Sequence, residues 1–386
     1  MKTIVFLDLL SHADMHLPFN EGLLRVLLAA YPKNRIRFLA TAGHAANLKT
    51  AFDGESRLVF TAIEPLSVAR TPQAYLPWKG RPSAQAALGR VANALTQDDV
   101  KLAVLGGMDA NLLAVFRDNW HRITKAPLLF ALHSQLEEAM QWRSRNPLIR
   151  YFDFYANFNR RLPSNQRILA LELGVKEEIE RMFPAQRGRV LTLEHPVLEN
   201  EWAPPTPWPT GRALRVGFVG HCGLGKGFDV FARLAKRLSG PRLEFHAIGR
   251  ANPNAAGVDL TALARQPSPS GLDRPEYLSA LRNMDCVCLP LPKANRFVAS
   301  GSIIDAFTAM KPLIITRNSM VERIEKKYGA FGYVANDVTE LEDFVANSCK
   351  TITLAQCQEW WGNIEKIRQS RTADKLAKIF HEFAIN

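Results

Sequence analysis

Short apolar runs closed by turn residues alternate along this chain with longer stretches of helical period, the pattern of β-α units laid on a parallel sheet. In the N-terminal half the runs predict strands at Thr3–Leu9, Arg35–Ala40, Leu58–Ile63, Lys101–Leu105, Leu128–Leu132, Arg167–Leu171 and Arg189–Leu193, with a helix over Pro18–Tyr31. The segment Glu201–Gly211, EWAPPTPWPTG, then carries four prolines, which forbid a continued helix or a central strand. A second series comes next: strand Arg215–Val219, helix Phe228–Leu238, strand Leu243–Ile248, helix Pro275–Asn283, strand Cys286–Leu289, helix Ser302–Met310 and strand Pro312–Ile315. Beyond Thr351 the period is helical to the end, over Leu354–Arg368 and Thr372–Phe383, with no strand left for these helices to cover.

The expectation is an α/β chain of two Rossmann-like, doubly wound parallel-sheet domains facing a cleft: a first domain over 1–198, a linker over 199–212, a second domain over 213–352, and helices over 353–386 packing back toward the first. A length of 386 residues suits two domains of ordinary size, and 47% hydrophobic with 22% charged residues is a globular balance. The opening MKTIVFLDLL runs directly into Ser11, His12, Asp14 and His16, so it reads as a strand and not as a secretory leader. No apolar run approaches the ~20 residues of a spanning helix. Five cysteines without a C-x-x-C pair argue against a disulfide framework and for a reducing cytoplasm, and Cys286 and Cys288 read as core thiols. The net charge of +12 implies attraction to phosphate in a nucleotide, in nucleic acid or in anionic lipid. No recognition motif accompanies the charge, so nucleic acid is set aside.

Candidate chemistry concentrates in two loops of the second half. Val219-Gly220-His221-Cys222-Gly223-Leu224-Gly225-Lys226-Gly227 joins a buried strand to an amphipathic helix, where glycines let backbone N–H groups approach a phosphate and the helix N-terminus favours negative charge. It fails as a P-loop because Gly227 stands where the metal-binding hydroxyl should be, and it fails as a dinucleotide fingerprint because Gly249-Arg250 follows the next strand in place of an acid. A turn without ligand is the bland alternative. Further on, Ser300-Gly301-Ser302 opens a helix with hydroxyls and free N–H groups suited to a diphosphate, and Asp305 lies one turn in, where it can accept from ribose hydroxyls. Here the alternative is a plain serine cap and a solvated aspartate.

Together these loops resemble the C-terminal domain of retaining family 4 glycosyltransferases of the GT-B fold. Gly220-His221 precedes Lys226-Gly227 at the spacing of the family's Gly-Arg and Lys-Gly; Asp305-Ala306-Phe307 through Lys311-Pro312 matches its second glutamate and the stretch after it; Asp285 to Pro290 is similar to the strand just upstream. The departures are His221 for arginine, Asp305 for glutamate, Phe297 with Arg296 beside it for the first glutamate, and His12-Ala13-Asp14-Met15-His16 for the N-terminal glycine pair. The resemblance spans about Arg215–Ile315 and is architectural elsewhere.

It implies a cytoplasmic transferase of surface polysaccharide assembly, with an acceptor-side first domain and a second domain that binds a UDP- or GDP-linked sugar through Gly220, Gly223, Gly225, Lys226, Arg296, Ser300, Gly301, Ser302 and Asp305. No other cofactor is implied. Lys226, and His221 when protonated, would stabilise the departing diphosphate. The chain holds no D-x-D, so a metal-bridged diphosphate is not expected. A retaining enzyme needs no separate base; an inverting one does, with Asp14 and His16 as its candidates. His133, at the carboxyl end of a strand, resembles the family's cleft histidine. A catalytically silent binding subunit is the competing class.

From Trp142 to Arg167 six arginines sit among aromatic residues with Asp153 as the one acid. This composition suits an anionic membrane surface, on the inner face of the cell membrane, where lipid-linked acceptors are met; its alternative is a helix with core aromatics and solvated arginines.

Overall fold

The computed structural model describes residues 2–11, 15–66, 76–141, 143–292, 297 and 299–383. Its contacts divide into two compact units: Met1–Pro196 with Phe297–Ala299 and Ala373–Asn386, and Val197–Arg296 with Ser300–Thr372.

The first unit runs β1 (Thr3–Asp8), α1 (Leu17–Ala30), β2 (Arg35–Thr41), α2 (Ala42–Lys49), β3 (Leu58–Ile63), α3 (Pro77–Ala94), β4 (Val100–Leu105), α4 (Ala110–Asn119), β5 (Leu128–Leu132), α5 (Gln135–Gln141), α6 (Pro147–Phe152), α7 (Phe154–Phe158), β6 (Gln166–Ala170), α8 (Leu173–Met182) and β7 (Val190–Thr192). The strands form one parallel sheet in the order β3-β2-β1-β4-β5-β6-β7. Every residue of β1 and of β5 is buried, as a strand covered on both faces requires. Pro18 lies in the first turn of α1, where its missing N–H costs nothing.

The second unit runs β8 (Leu214–Cys222), α9 (Phe228–Leu238), β9 (Leu243–Ala251), α10 (Arg274–Arg282), β10 (Cys286–Leu289), α11 (Gly301–Thr308), β11 (Leu313–Thr316), α12 (Ser319–Tyr328), β12 (Gly332–Ala335), α13 (Val338–Asp343) and α14 (Leu354–Ser370). Its parallel sheet has the order β12-β11-β10-β8-β9. Helix α9 forms because Phe228, Phe231, Leu234 and Ala235 share one face; both phenylalanine rings meet Phe218 on β8, and Phe231 also meets Phe245 on β9. Burying each such side chain stabilises the fold by about 1.5–3 kcal/mol.

The two doubly wound sheets are those the hydrophobic pattern predicts. Three points differ. Strands β8 and β9 each run about three residues past their apolar cores, because Gly249 (φ +141°) lets the two chains pair tightly there: a Cβ at 249 would sit 1.9 Å from the Gly220 carbonyl oxygen. Helices α2 to α8, α12 and α13 and strand β12 lie outside the predicted elements; for β12, four strand residues opened by a glycine carry too short a pattern to read. Of the terminal helices, α14 packs on α11 and α12 in the second unit, and only α15 (Ala373–Phe383) packs on α1 of the first.

The proline-rich segment is held against the second unit and is not a free tether. The Ala203 N–H donates to the Thr308 carbonyl, the Arg368 guanidinium lies over the Trp202 ring, and the buried Lys311 amine donates to Thr206 Oγ1 at 2.6 Å and to the Arg282 carbonyl at 2.7 Å. Burial pushes the Lys311 amine down to about 8, against the opposing pull of Asp285. Between that value and the ordinary lysine range the unfolded chain binds the proton that the folded chain has lost, so stability rises with pH across this window. Denaturant melts of the native chain and of Lys311→Met, taken from pH 7.5 to 10.5, should show that rise in the native chain and a weaker one in the variant.

Candidate functional site

The second unit brings the two predicted loops together. The Lys226 amine donates to Ser302 Oγ at 3.1 Å, and the same hydroxyl donates to the Val219 carbonyl at 3.0 Å. Lys226 comes from the short turn before α9 and Ser302 from the first turn of α11, so residues far apart in the chain meet over the end of β8. Gly220 makes the meeting possible. Its φ is +88°, and a Cβ there would lie 2.5 Å from Ser302 Oγ and 3.4 Å from the Lys226 amine. Burial lowers the lysine from its ordinary range, while the Asp305 charge works in the other direction.

The glycine-rich loop itself is not the row of free amides expected of it. The Leu224 N–H donates to Asn254 Oδ1, Lys226 N–H to the Gly223 carbonyl, Gly227 N–H to the Leu224 carbonyl and Phe228 N–H to the Gly223 carbonyl. The glycines serve packing. A Cβ at 223 would meet Asn252 and Asn254 at 3.0 Å, and one at 227 (φ +74°) would sit 1.9 Å from the Pro290 carbonyl oxygen. Gly225 is exposed and open to solvent on its Cβ side, and His221 is an exposed residue of β8. Asp229 in the first turn of α9 also disfavours an anion at that helix end.

The other helix end fits an anion better. Ser300 caps α11 without a side-chain cap bond, and its hydroxyl is buried with no hydrogen-bond partner among the described residues. The first turn of α11 holds no acid, and Gly301 is exposed with open space where a Cβ would be. The result is an orphaned hydroxyl, a helix N-terminus and an amine in one place, a donor set suited to phosphate oxygens.

Asp305 is not a free acceptor for a ribose. Its Oδ1 accepts from Arg274 Nη2 at 2.8 Å and its Oδ2 from the Tyr277 hydroxyl at 2.9 Å. Arg274 also donates through Nε to Glu201 Oε1 at 2.8 Å and through Nη2 to Glu201 Oε2. Burial opposes the arginine's charge, but the two carboxylates outweigh it and raise its pKa. Arg274, Tyr277 and Glu201 carry no signal in the sequence, where Arg274 and Glu201 are 73 positions apart and no motif links them.

In the first unit His16 and His133 stack at 4.6 Å, and Phe19 packs edge-on against His133 at 4.3 Å and His195 at 5.2 Å. His133 and His195 follow the carboxyl ends of β5 and β7, while His16 caps α1 with φ +56°, a strained conformation for histidine. Burial, then the neighbouring His16 and His195, hold His133 well below the usual histidine range, and its Nε2 is buried without a partner among the described residues. His195 is buried in this cluster; its N–H donates to Glu172 Oε1 at 3.0 Å. Phe297, at the position of the family's first glutamate, belongs to the first unit, buried with its N–H donating to Glu137 Oε2 at 3.2 Å. Asp14 and Arg296 lie outside the described residues.

No family model matches this chain, and no curated protein matches it by sequence. Its fold is similar to solved structures. One is a glycosyltransferase from Rickettsia africae ESF-5, at 13% identity and TM-score 0.63, with 99% of this chain and 97% of that one covered. Another is Anabaena Alr3699/HepE in complex with UDP, at 14% identity and TM-score 0.65, with 99% of each chain covered. A third is WaaG, a glycosyltransferase involved in lipopolysaccharide biosynthesis, at 12% identity and TM-score 0.62, with 99% of each covered. The chain shares with them the GT-B architecture of two Rossmann-like parallel-sheet domains.

A double-mutant cycle tests the packing over Gly220. Gly220→Ala should destabilise the chain by about 1–3 kcal/mol, part backbone strain and part clash with Ser302. In a Ser302→Ala background the clash is gone, and denaturant melts should return a smaller cost for the same substitution.

Proposed function

We propose that this chain is a glycosyltransferase that moves a sugar from a nucleoside diphosphate sugar, UDP- or GDP-linked, to a glycan or lipid-linked acceptor in surface polysaccharide assembly. The observation that carries the reading is the Lys226–Ser302 bond beside the orphaned Ser300 hydroxyl, at the N-terminus of α11. In the reaction the bond from the anomeric carbon to the diphosphate oxygen breaks and a bond to the acceptor oxygen forms. Negative charge grows on the departing diphosphate. A cation and N–H dipoles already fixed in place stabilise that charge without reorganising. Lys226 supplies the cation, and the Ser300 hydroxyl with the Gly301 and Ser302 amides supplies the dipoles. The Arg274, Tyr277 and Asp305 network ties α11 to α10 and keeps a carboxylate near the lysine.

The route we favour retains the anomeric configuration and uses no metal, the diphosphate taking the acceptor proton as it leaves. A second reading is an inverting transfer with Asp14 or His16 as the base, His16 being stacked on His133 beyond the carboxyl end of β5. The anomeric configuration of the product, read by NMR, separates the two.

Lys226→Ala should lower kcat by about 10²–10³, the usual cost of removing one such donor, with turnover by the native chain unchanged in EDTA. Binding is measured first, as a thermal shift with UDP-, GDP-, ADP- and CMP-linked sugars. No response to any of them would remove the transferase reading.

For the acceptor side we propose contact with an anionic membrane at the inner face of the cell membrane. No helix among the described residues is long and apolar enough to cross one. On α6, Leu148 and Tyr151 are exposed at 50% and 61%, and Arg145, Arg150 and Arg161 are exposed nearby, while Asp153 is buried as the cap of α7. Exposed apolar side chains among cations suit an interface where each basic residue adds about 1 kcal/mol. The native chain should float with vesicles containing phosphatidylglycerol and not with phosphatidylcholine alone. The Leu148→Glu, Tyr151→Glu variant should float with neither.

A further inference from the structure

The strand ends beside the Lys226–Ser302 contact carry more than that contact uses. In the sheet order β12-β11-β10-β8-β9 the chain leaves β8 for β9 on one side and returns past it to β10 on the other. The carboxyl end of β8 is therefore the place where an open α/β sheet holds a ligand. Strand β9 stays in register with β8 to its last residues, Gly220 against Gly249, His221 against Arg250 and Cys222 against Ala251. Adjoining strands lie about 4.8 Å apart, so Arg250 starts one strand spacing from the end of β8.

The backbone under Arg250 is fixed on both sides. Residues 264–268 run along the flank of β9 that faces away from β8. The Ala247 N–H donates to the Arg265 carbonyl at 2.8 Å, the Ser268 N–H to the Gly249 carbonyl at 2.9 Å and the Ala251 N–H to the Ser268 carbonyl at 2.8 Å. The side chain has a support of its own. Its Cβ, Cγ and Cδ lie within 4.0 Å of where a Cβ would stand on Gly271, whose φ of +89° favours glycine. The methylene stem is laid along that turn, and Arg250 remains an exposed residue.

Its head group stands apart from its neighbours. Arg212, Arg215, Arg265, Arg274 and Arg317 of the same unit each reach a carboxylate, whereas the Arg250 guanidinium makes no ion pair or hydrogen bond with any described residue. Asp305, the acceptor expected for a ribose, is taken by Arg274 and Tyr277, so reading of the nucleoside falls to another element. In doubly wound nucleotide sites that element is the end of the strand after the phosphate loop, where an acid accepts from a ribose hydroxyl. Here Arg250 occupies it, and a guanidinium only donates. Its flat edge is best used by two acceptors side by side. Guanine offers them as O6 and N7, whereas adenine sets an amino donor beside N7 and uracil an N–H donor beside O4.

We propose that Arg250 reads the base of the bound nucleotide and selects guanine, which makes GDP-linked sugars the donors of this chain. Naming the nucleotide a sugar donor rests on the transferase reading; guanine selection needs only a nucleotide held at Lys226 and Ser302.

The test is calorimetric titration of the full chain with GDP, UDP, CDP, ADP and 7-deazaguanosine diphosphate, in which carbon replaces N7. The same titrations are run on Arg250→Met, which keeps the stem and removes the donors, and on Arg250→Lys. GDP should bind the native chain at least about tenfold tighter than any of the other four. Arg250→Met should lose at least about tenfold for GDP, change UDP by less than about twofold and no longer tell GDP from its 7-deaza analogue, with partial recovery in Arg250→Lys. Melting curves of both variants should match that of the native chain, because the altered head group is exposed. Four results would overturn the proposal: UDP, CDP or ADP binding the native chain as tightly as GDP; the 7-deaza analogue binding like GDP; an equal loss for every nucleotide in Arg250→Met; or no nucleotide bound at all. Tight UDP binding that Arg250→Met leaves unchanged would remove guanine selection and spare the transferase reading. Guanine selection without release of GDP from any GDP-linked sugar would do the reverse.

Discussion

A single hydroxyl organises the second unit. Ser302 Oγ donates to the carbonyl of Val219 and accepts from Lys226, so strand β8, helix α11 and the turn before α9 are pinned to one atom. A lysine side chain has rotamer entropy to lose on being fixed, and burial disfavours its charge. Both costs are met locally, by the serine that orients the amine and by the Asp305 carboxylate that favours its protonated form. The glycines obey the same constraint. Gly220 must be bare for the amine and the hydroxyl to meet above it, and Gly227 must be bare for the turn that delivers the lysine to pass the Pro290 carbonyl.

Much of this is legible in the sequence, and the reason is periodicity. Strands buried on both faces leave continuous apolar runs, so β5 and β10 fall where the pattern puts them, as do the edge strand β3, the amphipathic helix α9 and the two glycine- and serine-rich turns that follow buried strands. The illegible part depends on contacts without a period. Glu201, inside a segment that reads as a linker, is the partner of Arg274; Tyr277 reaches Asp305 from another helix; His195 joins His16 and His133 only once three separate loops have folded. The glycines stand out in the sequence but serve another purpose in the fold. Their spacing suggests amides offered to a phosphate, and those amides are mostly bonded within the loop.

The first unit shows the complementary economy, polar side chains buried at the carboxyl ends of strands. Asp8 at the end of β1 accepts from Asn20 Nδ2 at 2.5 Å, and the same amide lies 2.8 Å from His44 Nε2, all three groups being buried. These short buried contacts tie α1 and α2 to the end of β1, with Asn20 Oδ1 the one atom of the group that is buried without a partner among the described residues. Those ties fix the base on which the histidine stack is built.

Helix α15 has an effect that reaches back to synthesis. Leu376, Ala377 and Phe380 are buried in the core that α1 and the first strands build, yet they leave the ribosome after the whole of the second unit. The half begun first is therefore completed last, with an apolar stripe on α1 waiting uncovered while more than half the polypeptide is still being made. Nascent domains usually close in order from the N-terminus; here the first unit lacks its last core helix until the second has been made.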